Sequence, residues 1–318
     1  MKPAASVLYS DVLLLLTAAI WGFAFVAQRV GMDAMGPFAF NAVRYAIGAL
    51  VLLPLIHYRR RNALRFSPAM AAATTAVAAP DAKAPTPAAL GLRRFLPFAL
   101  AGGAMFIGAS LQQLGIVTTT AGNAAFVTSL YVVIVPLIGS FFGRRTSLKD
   151  YIAAFIAVAG LYIITVGFGS GFSVAPGDLL VLAGSLFWAF HIIVIGRFAS
   201  SVDPVELSAG QFAVCGILSL AAALVFEPHP FQGTLAAAVP ILYGGVFSCG
   251  VAFTLQIVAQ RHAPPPHASI ILAMEGLFGA VGGVLLLGEA ASMRLFAGGA
   301  LMLGAAILSQ LPIGAKKR

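Results

Sequence analysis

Charge is scarce in this sequence. Only 9% of its 318 residues are Asp, Glu, Lys or Arg, 60% are hydrophobic, and the mean hydropathy is +0.97. That leaves too little polar surface to enclose a water-soluble globule of this length, so the chain belongs in lipid. Acidic residues are the scarcer sign, 10 against 19 basic ones, for a formal net charge of +9. The basic residues stand between apolar runs instead of gathering in one solvated patch, which excludes a nucleic-acid partner and makes them topology signals. Cysteine is almost missing: Cys215 and Cys249 each sit inside an apolar run, which points to neither a disulfide framework nor a metal site. The alternation of an outer-membrane barrel is missing too, and helices are the other way to satisfy a backbone in lipid. No glycine-rich loop is followed by Lys-Ser/Thr. The stretch GLFGAVGG at 276–283 lies within an apolar run and suits close helix packing better than phosphate binding. Hence no ATP-driven step and no cofactor is implied.

What is present is a series of apolar runs of bilayer length. They fall near 11–30, 38–57, 95–117, 123–142, 149–168, 178–198, 206–226, 236–259, 266–287 and 294–313, which predicts ten spanning helices. The first run is too long for a signal-peptide core and reads as an uncleaved span. With a cytoplasmic N-terminus, Lys2, Arg59, Arg60, Arg61, Arg65, Lys83, Arg93, Arg94, Arg144, Arg145, Lys149, Arg197, Arg261, Lys316, Lys317 and Arg318 all fall inside, whereas Arg29 and Arg294 fall outside. This asymmetry predicts that both termini are cytoplasmic. The segment Ser67–Ala89 is rich in Ala, Pro and Thr and is expected to be a flexible cytoplasmic linker.

An internal repeat organises the runs. At an offset of 167 residues (178 − 11), Asp11 aligns with Asp178, Trp21 with Trp188, Phe23 with Phe190 and Pro37 with Pro204. At an offset of 144 (256 − 112), Leu111 aligns with Leu255, Gln112 with Gln256, Gly139 with Gly283 and Gly160 with Gly304. The difference is absorbed where the Ala/Pro linker lies. The expected organisation is therefore a repeat over 1–170 carrying the linker at 67–89, and a second over 171–318. Five spans per copy is an odd number, so the second copy enters the membrane from the opposite side. The fold class expected is an all-α membrane protein of ten transmembrane helices in two inverted five-helix repeats, a transporter's symmetry.

Polar residues inside the runs mark where a solute sits. An ionisable group at mid-bilayer costs at least ~2.5–3.5 kcal/mol on insertion scales, so one that is retained faces a cavity or a partner. Arg44 and Glu275 lie at similar depth and are expected to form either a structural ion pair or a binding and gating pair. Trp21 and Gln28 share a face of the first span, and Asn123, Val127 and Tyr131 share a face of the fourth. Trp188 and His191 lie one turn apart in the sixth; His191 is either a packing residue or a proton-coupling group. Gln112, Gln113 and Gln256 suit helix-to-helix hydrogen bonds as well as a cavity wall. His262 and His267 fall in a Pro-rich turn on which nothing else converges, which argues against an embedded enzyme.

The segments AAIWGFAFVAQRVG (18–31), PFAFNAVRYAIGALVLLP (37–54) and MEGLFGAVGGVLLLGE (274–289) together resemble the EamA-type permeases of the drug/metabolite transporter superfamily, over nearly the whole chain. Two departures stand out: Gly276 follows Glu275 where that family usually has Pro, and the Ser67–Ala89 insertion is atypical. The resemblance implies a ten-helix secondary carrier working by alternating access, commonly an exporter of amino acids or other small, drug-like metabolites, in the cell membrane. The expected partners are a small-molecule substrate, the lipid bilayer and a coupling ion, proton or sodium. A carrier of phosphorylated or nucleotide-linked sugars is the alternative within transporters, although it would want several basic residues in the cavity where only Arg44 qualifies.

Overall fold

The computed structural model describes residues 3–66, 87–141, 146–165, 175–287 and 293–311. The helices are α1 (Pro3–Gly31), α2 (Pro37–Phe66), α3 (Pro87–Ile116), α4 (Ala121–Ser129), α5 (Tyr131–Phe141), α6 (Leu148–Thr165), α7 (Pro176–Phe198), α8 (Pro204–Phe226), α9 (Ala238–Leu242), a π-helical segment (Tyr243–Phe253), α10 (Thr254–Ala259), α11 (Pro265–Leu272), α12 (Glu275–Leu287) and α13 (Met293–Gln310). Among the described residues, eight segments are long and apolar enough to cross a bilayer, with α4–α5, α9–α10 and α11–α12 each counting as one. Two further 18-residue helices, α6 and α13, complete a set of ten. This is an all-α membrane protein. Of the linker, 67–86 lies outside the described residues, and its last three positions are not linker but the first turn of α3. Arg144, Arg145, Gly288, Glu289, Lys316, Lys317 and Arg318 also lie outside.

Prolines open many of these helices. Pro37, Pro87, Pro176, Pro204 and Pro265 each stand first in their helix, where the missing N–H is no loss and the fixed φ is already helical. Asp203 caps α8, accepting from the N–H groups of Val205 and Glu206 at 2.9 and 3.2 Å. The start of α2 is capped from another helix: the Glu227 carboxylate at the end of α8 accepts from Phe38 N at 2.7 Å and Ala39 N at 3.1 Å. A carboxylate at a helix N-terminus also complements the macrodipole.

Two expected continuous helices are broken. The fourth span turns at Leu130, whose N–H bonds back three residues to Val127 O at 3.2 Å, and the ninth turns at Ala273–Met274, where Met274 N bonds to Ile271 O at 3.1 Å. Both are single 3₁₀ turns. The repeat frame pairs Leu130 with Met274 (274 − 144), so the breaks occupy equivalent positions. They also touch: the Ser129 hydroxyl lies 3.3 Å from Ala273 O. The eighth span departs from regularity differently, being π-helical over Tyr243–Phe253.

Packing relies on small residues because lipid offers no hydrophobic drive between helices. A Cβ on Gly160 of α6 would lie 2.7 Å from the Gly298 carbonyl of α13, and one on Gly22 of α1 would meet Phe278 Cβ of α12 at 2.5 Å. The contacts exchange between halves. The third span packs on the sixth as the eighth packs on the first, and the first packs on the ninth as the sixth packs on the fourth. The second pairs with the seventh and the fifth with the tenth.

The described basic residues Arg59, Arg60, Arg94, Lys149, Arg197 and Arg261 collect at one end of the bundle, here termed the basic end. Arg59–Asp203 at 3.0 Å and Arg60–Glu206 at 2.9 Å tie α2 to α8 there. Lys149 Nζ donates to Ser309 O and Leu311 O, and Arg261 donates to Ala199 O and Val202 O. Arg29 lies at the other end, paired with exposed Asp33.

Candidate functional site

A cavity lies at the meeting point of both halves. Nine of the residues singled out in the sequence line it: Trp21, Gln28, Arg44, Gln112, Tyr131, Trp188, His191, Gln256 and Glu275, whereas Val127 and Gln113 do not. Asn123 does not. It stands in the first turn of α4, where its N–H is capped by Thr120 Oγ1 at 3.1 Å. The stride of four from Asn123 to Tyr131 assumed an unbroken helix, whereas the chain turns at Leu130.

The two halves meet through aromatic rings. Trp21 packs on Phe253 at 4.5 Å between centroids and Trp188 on the same ring at 6.0 Å. These two tryptophans are repeat mates, so packing at the interface and lining the cavity are one role here. His191 meets Trp188 and Phe253 edge-on at 5.8 and 5.7 Å, and its Nε2 is 2.8 Å from Gln211 Oε1. Trp21 Nε1 donates to Ser248 O in the π segment at 3.3 Å, and Tyr243 OH donates to Ile20 O at 2.9 Å. The π segment is thereby held against α1.

Gln112 is a hub. Its Nε2 donates to Gln28 Oε1 at 3.0 Å, while its Oε1 accepts from Trp188 Nε1 at 2.9 Å and Thr128 Oγ1 at 3.4 Å. Gln113 donates to Gln28 O at 3.3 Å. Gln256, the repeat mate of Gln112, donates to Gln260, which in turn donates to Ile192 O. Gln112 and Gln256 therefore tie helices together and face the cavity at once. His191 Nδ1 and Gln256 Oε1 are buried without a protein partner, polar capacity left over at the cavity wall.

The two charges are both buried, Arg44 at 2% and Glu275 at 3% exposure. The expected ion pair between them is not formed among the described residues. Arg44 Nε donates to Asn41 Oδ1 at 2.9 Å and Nη2 to Tyr45 OH at 3.2 Å, and the guanidinium lies over the Tyr45 ring at 4.7 Å from its centroid and over Phe40 at 5.6 Å. Neutral acceptors and π faces hold it in place of a carboxylate. Glu275 opens α12, just after the break, and accepts a long hydrogen bond from Ser129 Oγ at 3.5 Å. A carboxylate in the first turn of a half-helix is favoured by the local dipole, and discontinuous helices at mid-depth are where carriers of inverted-repeat design place their sites.

Several wall residues escaped the sequence reading: Tyr45, Thr128, Ser248 and Phe253. Tyr45 and Thr128 were within reach, as one adjoins Arg44 and the other stands three before Tyr131. Ser248 and Phe253 were not, because only the wide π-helical turn brings them in. His267 is a correction of another kind. It lies within α11, buried at 7% exposure, and two groups do converge on it: Asp11 Oδ1 at 2.7 Å from Nε2 and Ser309 Oγ at 2.6 Å from Nδ1.

Comparison with known proteins gives a consistent picture. The model of the EamA-like transporter family matches the chain twice, over residues 8–166 and 175–311. A protein of Archaeoglobus fulgidus described as an uncharacterized transporter is 30% identical over 308 residues, covering 96% of this chain and 87% of that protein. The threonine/homoserine exporter RhtA of Escherichia coli is 26% identical over 178 residues, 52% of this chain and 56% of that protein. A protein of the same organism described as an uncharacterized inner membrane transporter, YedA, is 23% identical over 251 residues, 79% of this chain and 74% of that protein. A solved crystal structure superposes with a TM-score of 0.71 at 19% identity, covering 96% of both chains, a likeness of fold.

Proposed function

The chain belongs to the EamA-like transporter family, and on that premise we propose that it is a secondary transporter, not an enzyme, that exports a small zwitterionic metabolite of the amino-acid class. The observation that carries this reading is the separate burial of Arg44 and Glu275 in one cavity wall. A buried charge without its opposite is costly. A solute with a carboxylate and an ammonium neutralises both at once, while the rings of Trp21, Trp188 and Phe253 offer apolar faces to the rest of it. Arg44 suits the carboxylate because its fork matches two oxygens. Glu275 disfavours phosphorylated or nucleotide-linked sugars, since it adds negative charge to the cavity. An exporter of threonine and homoserine among the relatives accords with this class.

In this reading the halves are inverted repeats that exchange conformations about the touching breaks at Leu130 and Ala273–Met274, so that access alternates between the two ends. The basic end is cytoplasmic and both termini lie with it, in the cell or inner membrane. Cys215 and Cys249 are fully buried, so single cysteines at Thr75 and Lys316 give a clean test of side: an impermeant thiol reagent should leave both unlabelled in intact cells. The substrate class is tested by counterflow in proteoliposomes with threonine, homoserine, phenylalanine and the corresponding decarboxylated amines. Amino acids should exchange and amines should not. Equal exchange of amine and amino acid would remove Arg44 from the binding site.

A further inference from the structure

Below the central cavity, toward the basic end, lies a second cleft of about 1140 Å³, which the site described above does not use. The two spaces share a wall along α5, where Tyr131 faces the upper one and Val135 and Gly139 the lower. Leu14 of α1, three residues after Asp11, and Val132 of α5, between Tyr131 and Val135 in sequence, are both fully buried. Asp11, His267 and Ser309 line the lower cleft and join α1, α11 and α13 into one cluster.

The hydrogens of this cluster can be counted. Asp11 accepts, so His267 Nε2 carries a proton toward it at 2.7 Å. The Ser309 hydroxyl has a single proton and two acceptors within reach, Ala306 O at 3.0 Å and His267 Nδ1 at 2.6 Å. If the hydroxyl donates to Ala306 O, Nδ1 must donate to Oγ and the ring is an imidazolium. If the hydroxyl turns to Nδ1, the ring is neutral. One heavy-atom arrangement therefore accommodates both states through rotation of one hydroxyl. Among the described residues, the other charged or titratable groups facing the cleft are Lys149 and Asp150 of α6 and His262 of the preceding turn. Lys149 is engaged by two carbonyls, and Asp150 accepts from Ser147. Asp11 and His267 are thus the pair that meets directly.

The repeat makes this arrangement one-sided. Asp178, mate of Asp11, sits at the opposite end and accepts from Thr119 Oγ1 at 2.5 Å and Ala175 N at 2.8 Å. The mate of His267 is Asn123 (267 − 144), which does not titrate. Both ends keep the aspartate, and only the basic end has the histidine.

We propose that Asp11, His267 and Ser309 form a proton-binding latch at the basic end. Protonated His267 holds α1, α11 and α13 together through an imidazolium–carboxylate pair and keeps the cleft shut off from the central cavity. Release of the proton leaves a weaker neutral hydrogen bond and lets this end open. Histidine is the side chain whose ordinary titration falls near neutrality, which fits such a switch. The proposal takes its meaning from the transporter reading above, but its test does not need a transported solute.

The experiment follows alkylation of Val132→Cys by N-ethylmaleimide in the purified full chain, with Cys215 and Cys249 replaced by alanine. The same reporter is measured with and without His267→Gln, so that the thiol's own pH dependence cancels in the ratio. At about pH 5.5 the parent should react about fivefold more slowly than the His267→Gln protein, the lower end of ordinary coupling strengths. By about pH 8.5 the ratio should have fallen toward one as the proton is lost. Ser309→Ala, which removes one small hydroxyl and the acceptor for Nδ1–H, should reduce the pH dependence and serves if His267→Gln does not fold. A ratio that is the same at both pH values, or an unchanged pH profile in Ser309→Ala, overturns the latch. If counterflow of amino acids fails while the ratio moves with pH, the substrate reading falls and the latch stands. If counterflow succeeds and the ratio is flat, the latch alone falls.

Discussion

Neutralising Glu275 separates a binding charge from a structural one. In a structural ion pair, removing one partner leaves a buried, uncompensated charge and costs about 3–5 kcal/mol. Here Glu275 has no cationic partner among the described residues, and its hydrogen bond from Ser129 is 3.5 Å long. Ser129 keeps an alternative acceptor in Ala273 O at 3.3 Å. Glu275→Gln keeps an amide oxygen that can accept from Ser129, forfeits only the charge assistance of a long hydrogen bond, and removes the burden of holding a carboxylate at 3% exposure. Detergent thermal stability should stay level or rise. Substrate binding should suffer, since a hydrogen bond between charged groups is worth about 1.5–3 kcal/mol, or about 10- to 150-fold in affinity. The assay is a melting curve beside concentration-dependent counterflow for the parent, Glu275→Gln and Glu275→Gln with Arg44→Gln. A drop in stability of several kcal/mol, reversed in the double replacement together with near-parental flux, would refute the binding assignment and make the two residues a clamp.

Two further expectations follow from packing and polar contacts. Gln112→Leu removes an acceptor for Trp188 and Thr128 and a donor to Gln28, and should lower stability by about 2–4 kcal/mol through the buried groups left unpaired, read in the same melting assay. Gly160→Leu forces a side chain onto the Gly298 carbonyl, whose oxygen lies 2.7 Å from the new Cβ; a backbone atom cannot swing aside, so the cost should exceed the usual 1–3 kcal/mol of overpacking and show as loss of monodisperse protein on size-exclusion chromatography.

Much of this molecule could be read from one dimension because lipid imposes one-dimensional rules. A backbone in hydrocarbon must satisfy its own hydrogen bonds, so the apolar runs became helices with starts fixed by Pro37, Pro176, Pro204 and Pro265. The cost of burying charge made Arg44 and Glu275 conspicuous, and the shared frame of Trp21 with Trp188 and Gln112 with Gln256 marked residues that meet at the centre. Whatever depended on departures from an ideal helix stayed hidden. The turns at Leu130 and at Ala273–Met274 contain neither Pro nor Gly; they arise where the two halves touch, and they move Asn123 off the cavity while setting Glu275 at the start of a half-helix. The π segment recruits Ser248 and Phe253 for the same reason, by widening a turn that sequence spacing treats as regular. The relation of Asp11 to His267 and Ser309 is the furthest from the sequence. It joins residues 256 positions apart, and only the packing of α1, α11 and α13 brings an aspartate, a histidine and a serine within hydrogen-bonding distance. Sequence thus determined the helices and their charged interior, while tertiary packing decided which charges remain unpaired and which titratable groups meet.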